Sequence, residues 1–310
     1  MHKLKLVFKI SIILSIIMNL VYSRASDNFS INSPLYLNKS VIFSNTQKSA
    51  IYIANQDTTK NIINSPGCAY YYSLSPDQNL LGFKIINSNR KQTPAIYDIQ
   101  ANEIKALHEP VKNAGQVSFS QTGLKAYTID TKLHLSDGRR FDLGNYANLA
   151  PISPNGKRVA YNDNDDQIWI LNLTTNEKDK ITNDTYGYYK PGWSPNSQIL
   201  MFVRLDGTIC SYDLNTDQFH IIEKGHSPTW STNSTHIIYY KKEIEEMKLK
   251  NTDLFLAKYD GSEIDQLTNT PDKMEIDPAI INNDSRIIYY IRNNNEIKVA
   301  NFKKNVRRLN

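Results

Sequence analysis

Residues able to do acid–base or metal chemistry are few in this chain, and they are dispersed. Six histidines occur in 310 residues. His220 and His226 lie close together, with His236 ten residues further on. Histidines that converge can hold a metal. The strand pattern below, however, places His220 on the outer, fourth strand of its unit and His236 at the start of a second strand, so they would not converge and no metal site is expected. Asp163-Asn164-Asp165-Asp166 has the carboxylate density of a calcium loop but lacks its sixth-position Gly and twelfth-position Glu, and it reads as a hairpin turn. Glu243, Glu245 and Glu246 sit in a mixed-charge run, Lys241 to Asn251, which reads as a solvated connection with room for one helical turn. No carboxylate pair for acid–base work can be assigned. No Gly-x-Ser-x-Gly string marks a hydrolase nucleophile. No catalytic residue and no cofactor are therefore expected. Cys68 and Cys210 are expected to be free, packed thiols, because they fall in non-neighbouring repeats.

The chemistry the sequence does concentrate is that of recognition. The chain has 19 tyrosines. Tyr70, Tyr71, Tyr146, Tyr186, Tyr188 and Tyr189, with Lys190, His226, Met274 and Glu275, fall in connections between repeated units rather than inside them. Tyrosine presents a large amphipathic surface at low entropic cost and suits a protein or peptide partner.

Those connections are defined by an internal repeat. One unit reads Ala150 to Tyr161, Gln167 to Thr174 and Lys178 to Thr182; the next reads Pro191 to Phe202, Ile209 to Leu214 and Phe219 to Ile222. Each unit is four short apolar strands, A to D. Turn strings such as Ser75-Pro76-Asp77 and Ser153-Pro154-Asn155-Gly156 separate A from B. Asp137-Gly138 and Asp260-Gly261 separate C from D. Strand D ends near Ile63, Leu107, Leu143, Ile181, Ile222, Leu267 and Leu309, spaced 36 to 45 residues apart, the period of four-stranded propeller blades. A sheet that is apolar on both faces cannot shield itself, whereas sheets stacked around an axis shield one another. The fold class predicted is an all-β propeller of four-stranded antiparallel blades. Seven blades are expected. Six remain an alternative, because strand A of the first unit is doubtful. The middle of strand A is small throughout (Ser73, Ser118, Pro151, Gly192, Thr229, Ala279), which suits the narrow inner end of a wedge. The D-to-A connections of such a ring surround one mouth of its axial channel.

Residues 1–25 read as a secretory signal peptide: Lys3, Lys5 and Lys9, then the uncharged, largely apolar Ile10 to Val21, then small residues. Residues 26–310 are expected to form the propeller. The whole chain carries +5 (36 basic, 31 acidic residues). Residues 1–25 hold four basic and no acidic residues, so the remainder is close to neutral. That gives no electrostatic case for nucleic acid.

The Trp193-Ser-Pro-Asn196, Ser153-Pro-Asn-Gly156 and Ser75-Pro-Asp77 strings, with Ile168-Trp-Ile-Leu171 and Leu267-Thr268, resemble the repeats of TolB-type periplasmic propellers. They are also similar to those of prolyl-oligopeptidase-like propeller domains. TolB-type proteins carry an α/β domain ahead of the propeller. Here about a dozen residues separate the expected cleavage site from the first repeat. The resemblance implies a periplasmic, monomeric, non-catalytic scaffold with a protein or peptide partner in the cell envelope and no membrane insertion after cleavage. The alternative kept open is a propeller-type lyase or hydrolase acting on a glycan or small molecule in the channel.

Overall fold

The computed structural model describes residues 31–37, 40–55, 58–281, 286–294 and 296–301. The expected leader and the strand expected to end at Leu309 lie outside them. Twenty-six strands and no helix occur among the described residues, arranged as seven antiparallel sheets taken in chain order. The sheets form a seven-bladed β-propeller. Blade 1 is β1 (Asn32–Tyr36), β2 (Val41–Ser44), β3 (Ala50–Ala54) and β4 (Thr59–Asn64). Blade 2 is β5 (Ser73–Leu74), β6 (Leu80–Ile86), β7 (Gln92–Asp98) and β8 (Glu103–Ala106). Blade 3 is β9 (Ser118–Phe119), β10 (Lys125–Ile129), β11 (Lys132–Leu135) and β12 (Arg140–Asp142). Blade 4 is β13 (Arg158–Asn162), β14 (Ile168–Asn172) and β15 (Lys178–Lys180), its inner strand reduced to one bridge between Ile152 and Val159. Blade 5 is β16 (Tyr188–Trp193), β17 (Ile199–Arg204), β18 (Thr208–Asp213) and β19 (Gln218–Lys224). Blade 6 is β20 (His226–Trp230), β21 (His236–Glu245), β22 (Lys248–Lys258) and β23 (Ile264–Gln266). Blade 7 is β24 (Glu275–Ile281), β25 (Arg286–Ile291) and β26 (Glu296–Asn301). The first unit does have its strand A, namely β1, so the six-blade alternative is corrected to seven.

The core is divided among the seams between blades. Seven apolar clusters occur, and each joins two neighbouring blades. Strand alternation assigns the sides. On blade 4, Val159, Tyr161 and Leu171 face blade 3, while Ala160, Ile168 and Ile170 face blade 5. The seventh cluster closes the ring: Ile31, Val41, Phe43 and Ala54 of the first unit pack on Ile288, Tyr290 and Ile297 of the last.

The turn strings act through their serines. Ser153, Ser194 and Ser231 each accept the N–H that opens strand B (Arg158, Ile199, His236; 2.9 Å each) and donate to the Asn two residues on. One hydroxyl thus satisfies both ends of a tight turn. Strand A is stitched around the ring in the same way. Ser73 donates to the Val117 carbonyl at 2.6 Å, Ser118 to Ala150 at 3.2 Å and Thr229 to Pro278 at 2.9 Å. In the other direction Trp193 Nε1 donates to Pro151 and Trp230 Nε1 to Gly192. Ser73, Ser118 and Thr229 of the inner strands therefore serve these bonds, and the expected crowding of the wedge does not hold at Gly192. A Cβ at Gly192 would meet only Met201 Cε at 3.7 Å, an ordinary contact.

The run Lys241 to Asn251 is not a helical turn. It is the tip of a hairpin in which β21 and β22 pair out to Glu245 and Lys248. Glu246 and Met247 turn the chain at φ 48° and 62°, the backbone of a mirror-image two-residue turn. Cys68 and Cys210 are free and buried, as expected. Burial pushes their thiols up to about 11 and about 12.

Candidate functional site

A cavity of about 1050 Å³ lies among the inner strands. Its walls are the inner strands of blades 1, 5, 6 and 7 and the connection before β5. Four inner strands reach it by one repeated device. Each carries a break in register at an X-Pro pair: Ser33-Pro34, Lys190-Pro191, Ser227-Pro228 and Asp277-Pro278. Residue X sits in the left-handed region in every case, at φ 50°, 53°, 47° and 50°. Such backbone is costly for residues with a Cβ, and a bulge turns the strand locally so that its side chains are re-aimed. All four X residues line the cavity.

Around this frame the mouth is aromatic, and the cavity lining carries Lys190, Asp277 and Arg286. Tyr70 and Tyr71 are 63% and 36% exposed on one side. Tyr72 is anchored below them and donates to the carbonyls of Asn32 and Ser33. Lys190 Nζ stands 5.9 Å from the Tyr189 ring centroid. Burial and the neighbouring Tyr71 phenol both push Tyr189 up. His226 packs on Tyr240, with ring centroids 5.2 Å apart. Asp277 Oδ1 accepts from Ser227 Oγ at 2.7 Å, and the Asp277 carbonyl accepts from Tyr36. Lys48 donates to Ser33 and Ser44. Burial lowers the Lys48 pKa, Asp277 opposes that shift and Lys190 adds to it. Burial, then Asp277, pushes Tyr240 up to about 12. The site can therefore offer tyrosine faces, hydroxyls, the Lys190 ammonium and the Asp277 carboxylate to a ligand entering along the axis.

The sequence-predicted residues divide into two groups. Tyr70, Tyr71 and Lys190 line the cavity, with Tyr189 and His226 beside it through the contacts above. The others are elsewhere. Tyr188 is 1% exposed and belongs to the seam between blades 4 and 5, edge-on to Phe202 and donating to Asp184. It is a core residue because β16 alternates its side chains and Tyr188 takes an inward position. Glu275 is wholly buried. Met274 is held against the hairpin by a bridge to Thr252. Tyr146 donates to the Ala114 carbonyl between blades. Tyr186 lies beneath Arg204, 4.0 Å from its guanidinium carbon. The sequence reading missed Ser33, Tyr72, Ser227 and Asp277. The recurrent X-Pro at the start of strand A could have found three of them. The Asp163 segment is a hairpin turn, with Asp163 accepting from Trp169 Nε1 and from the amides of Asp165 and Gln167. His220 lies on outer strand β19 and His236 opens β21.

No family model matches the chain, and no curated protein matches it. Solved structures do. A chain of the mitotic checkpoint complex superimposes with TM-score 0.63 at 15% identity, covering 89% of this chain and 90% of that one. The tricorn protease gives 0.50 at 15%, covering 84% of this chain but 28% of that one. TolB from Acinetobacter baumannii gives 0.49 at 16%, covering 72% and 60%. At such identities the likeness is one of fold, and the propeller serves many roles.

Proposed function

We propose that this protein is a non-catalytic, exported propeller scaffold that binds an extended segment of a protein partner in the bacterial cell envelope at its axial mouth. The observation that carries this reading is the composition of the cavity. It combines tyrosine, proline and aliphatic walls with a few hydroxyls and the charges of Lys190, Asp277 and Arg286, the first two held at strained backbone positions. Rigid amphipathic anchors with sparse, oriented polar groups are how pockets select an extended chain. The TolB-like repeat strings and the signal-like residues 1–25 support an envelope location.

The test is site-specific photo-crosslinking in intact cells. A photoreactive phenylalanine analogue at Tyr71 or Tyr189 should give a discrete adduct that the same analogue at Tyr186, outside the mouth, does not. Adducts of equal yield at all three positions, or at none, would remove the mouth as the binding site.

A further inference from the structure

A second concavity, of about 430 Å³, lies on the outer flank between blades 2 and 3. Strand β8 supplies Lys105, β10 supplies Lys125 and Tyr127, β11 supplies His134 and β12 supplies Arg140. Ile96, Leu107 and Leu135 form its apolar floor. Every charged residue lining it is basic. Lys105, Lys125 and Arg140 take part in no ion pair among the described residues. Glu103 and Asp142 follow the same strands but do not line the cleft, and Asp137 at the adjacent turn is held by Arg139. Three like charges lining one cleft give it a positive potential that draws an anion.

We infer that this cleft binds a small multivalent oxyanion, a phosphate- or sulfate-bearing molecule whose body rests on the Ile96–Leu107–Leu135 floor. Arg140 supplies the planar fork suited to such a group and the two lysines supply point charges. His134 lies deeper, 9% exposed, stacked on Tyr127 at 5.5 Å and met edge-on by His108 at 5.8 Å. Tyr127 is anchored through its hydroxyl to the Leu107 carbonyl. Burial lowers the His134 pKa first, followed by Arg140, His108 and Lys132. An anion in the cleft opposes all of these, so binding draws a proton onto His134 and strengthens as pH falls.

The experiment is calorimetric titration of the folded chain with inorganic pyrophosphate and with inorganic sulfate at constant ionic strength. One saturable site is expected, weakened at least tenfold by Lys105→Gln combined with Arg140→Gln. Both side chains are exposed, so their replacement leaves the fold intact. Lys248→Gln, on the hairpin of blade 6, should leave binding unchanged. A preference for pyrophosphate points to a phosphate-bearing ligand, a preference for sulfate to a sulfate ester. Sulfate does not titrate between pH 6 and 8, so its affinity reports on the protein and should rise towards pH 6. Absence of a saturable site, equal weakening by Lys248→Gln, or a sulfate affinity independent of pH would each overturn the inference.

Discussion

At the scale of the residue, Lys84 shows how this fold treats a charge it cannot expose. The side chain is 6% exposed. Its Nζ donates to Gln92 Oε1, the Ala114 carbonyl and Asn148 Oδ1, each at 2.8 Å. It thereby ties β7 to two connections of the mouth face, with no carboxylate partner among the described residues. Burial lowers its pKa to about 8. An unfolded lysine titrates near 10.4, so between these values the unfolded chain holds the proton more tightly and stability rises with pH. Below about pH 8 both states are protonated and the penalty is constant. Comparing wild type with Lys84→Met by urea denaturation removes the contributions of other groups. The difference should move in favour of wild type by about 2 kcal/mol between pH 8 and pH 10. A difference that does not change with pH would show that Lys84 titrates normally. Neither the three acceptors nor the burial could be read from the sequence, where Lys84 is an ordinary lysine in an apolar strand.

At the scale of the element, the Ser-Pro-Asn and Ser-Pro-Asp strings were legible as turns, and their mechanism is a single hydroxyl shared between the two ends. Ser194 is fully buried and accepts from Ile199 N while donating to Asn196. Ser194→Ala leaves that N–H without its side-chain acceptor and should cost about 1–3 kcal/mol, measured by equilibrium denaturation. A cost near zero would mean that Ser194 Oγ is dispensable to the turn. The long hairpin β21–β22 was misread as helix-capable because its tip, Glu243 to Lys250, is charged and lacks Gly, Asn or Pro. The pairing of His236 to Glu245 with Lys248 to Lys258 is decided by the blade beneath it. Once Ile237 to Tyr240 pair with Leu254 to Ala257, the ladder simply continues outward.

At the scale of the whole molecule, the closing seam is made of side chains from residues at opposite ends of the described chain. Phe43 faces Ile288 and Tyr290 there and is fully buried, as Phe202 is between blades 4 and 5. In a closed ring no blade is terminal. Phe43→Ala should therefore destabilise about as much as Phe202→Ala, roughly 3–5 kcal/mol in each case. A markedly smaller cost at Phe43 would indicate a stack that opens at this seam, where a terminal repeat contributes less than an internal one.

What the sequence by itself determined is the blade: its period, its turns and the two-faced apolarity that compels stacking, all of which depend on neighbours within a few tens of residues. Seven blades were also countable, apart from the doubt over β1, whose Asn-Ser-Pro start hides a bulged strand. Only the tertiary structure decided which residues meet. Strand alternation along β16 sent Tyr188 into a seam while Tyr189 reached the mouth beside Tyr71, although the sequence reading put all three in similar connections. The basic cleft likewise draws Lys105, Lys125, His134 and Arg140 from four strands of two blades. The reason is geometric: local pattern sets the form of each sheet, while the rotation between successive sheets sets which side chains converge, and that rotation is a property of the closed ring.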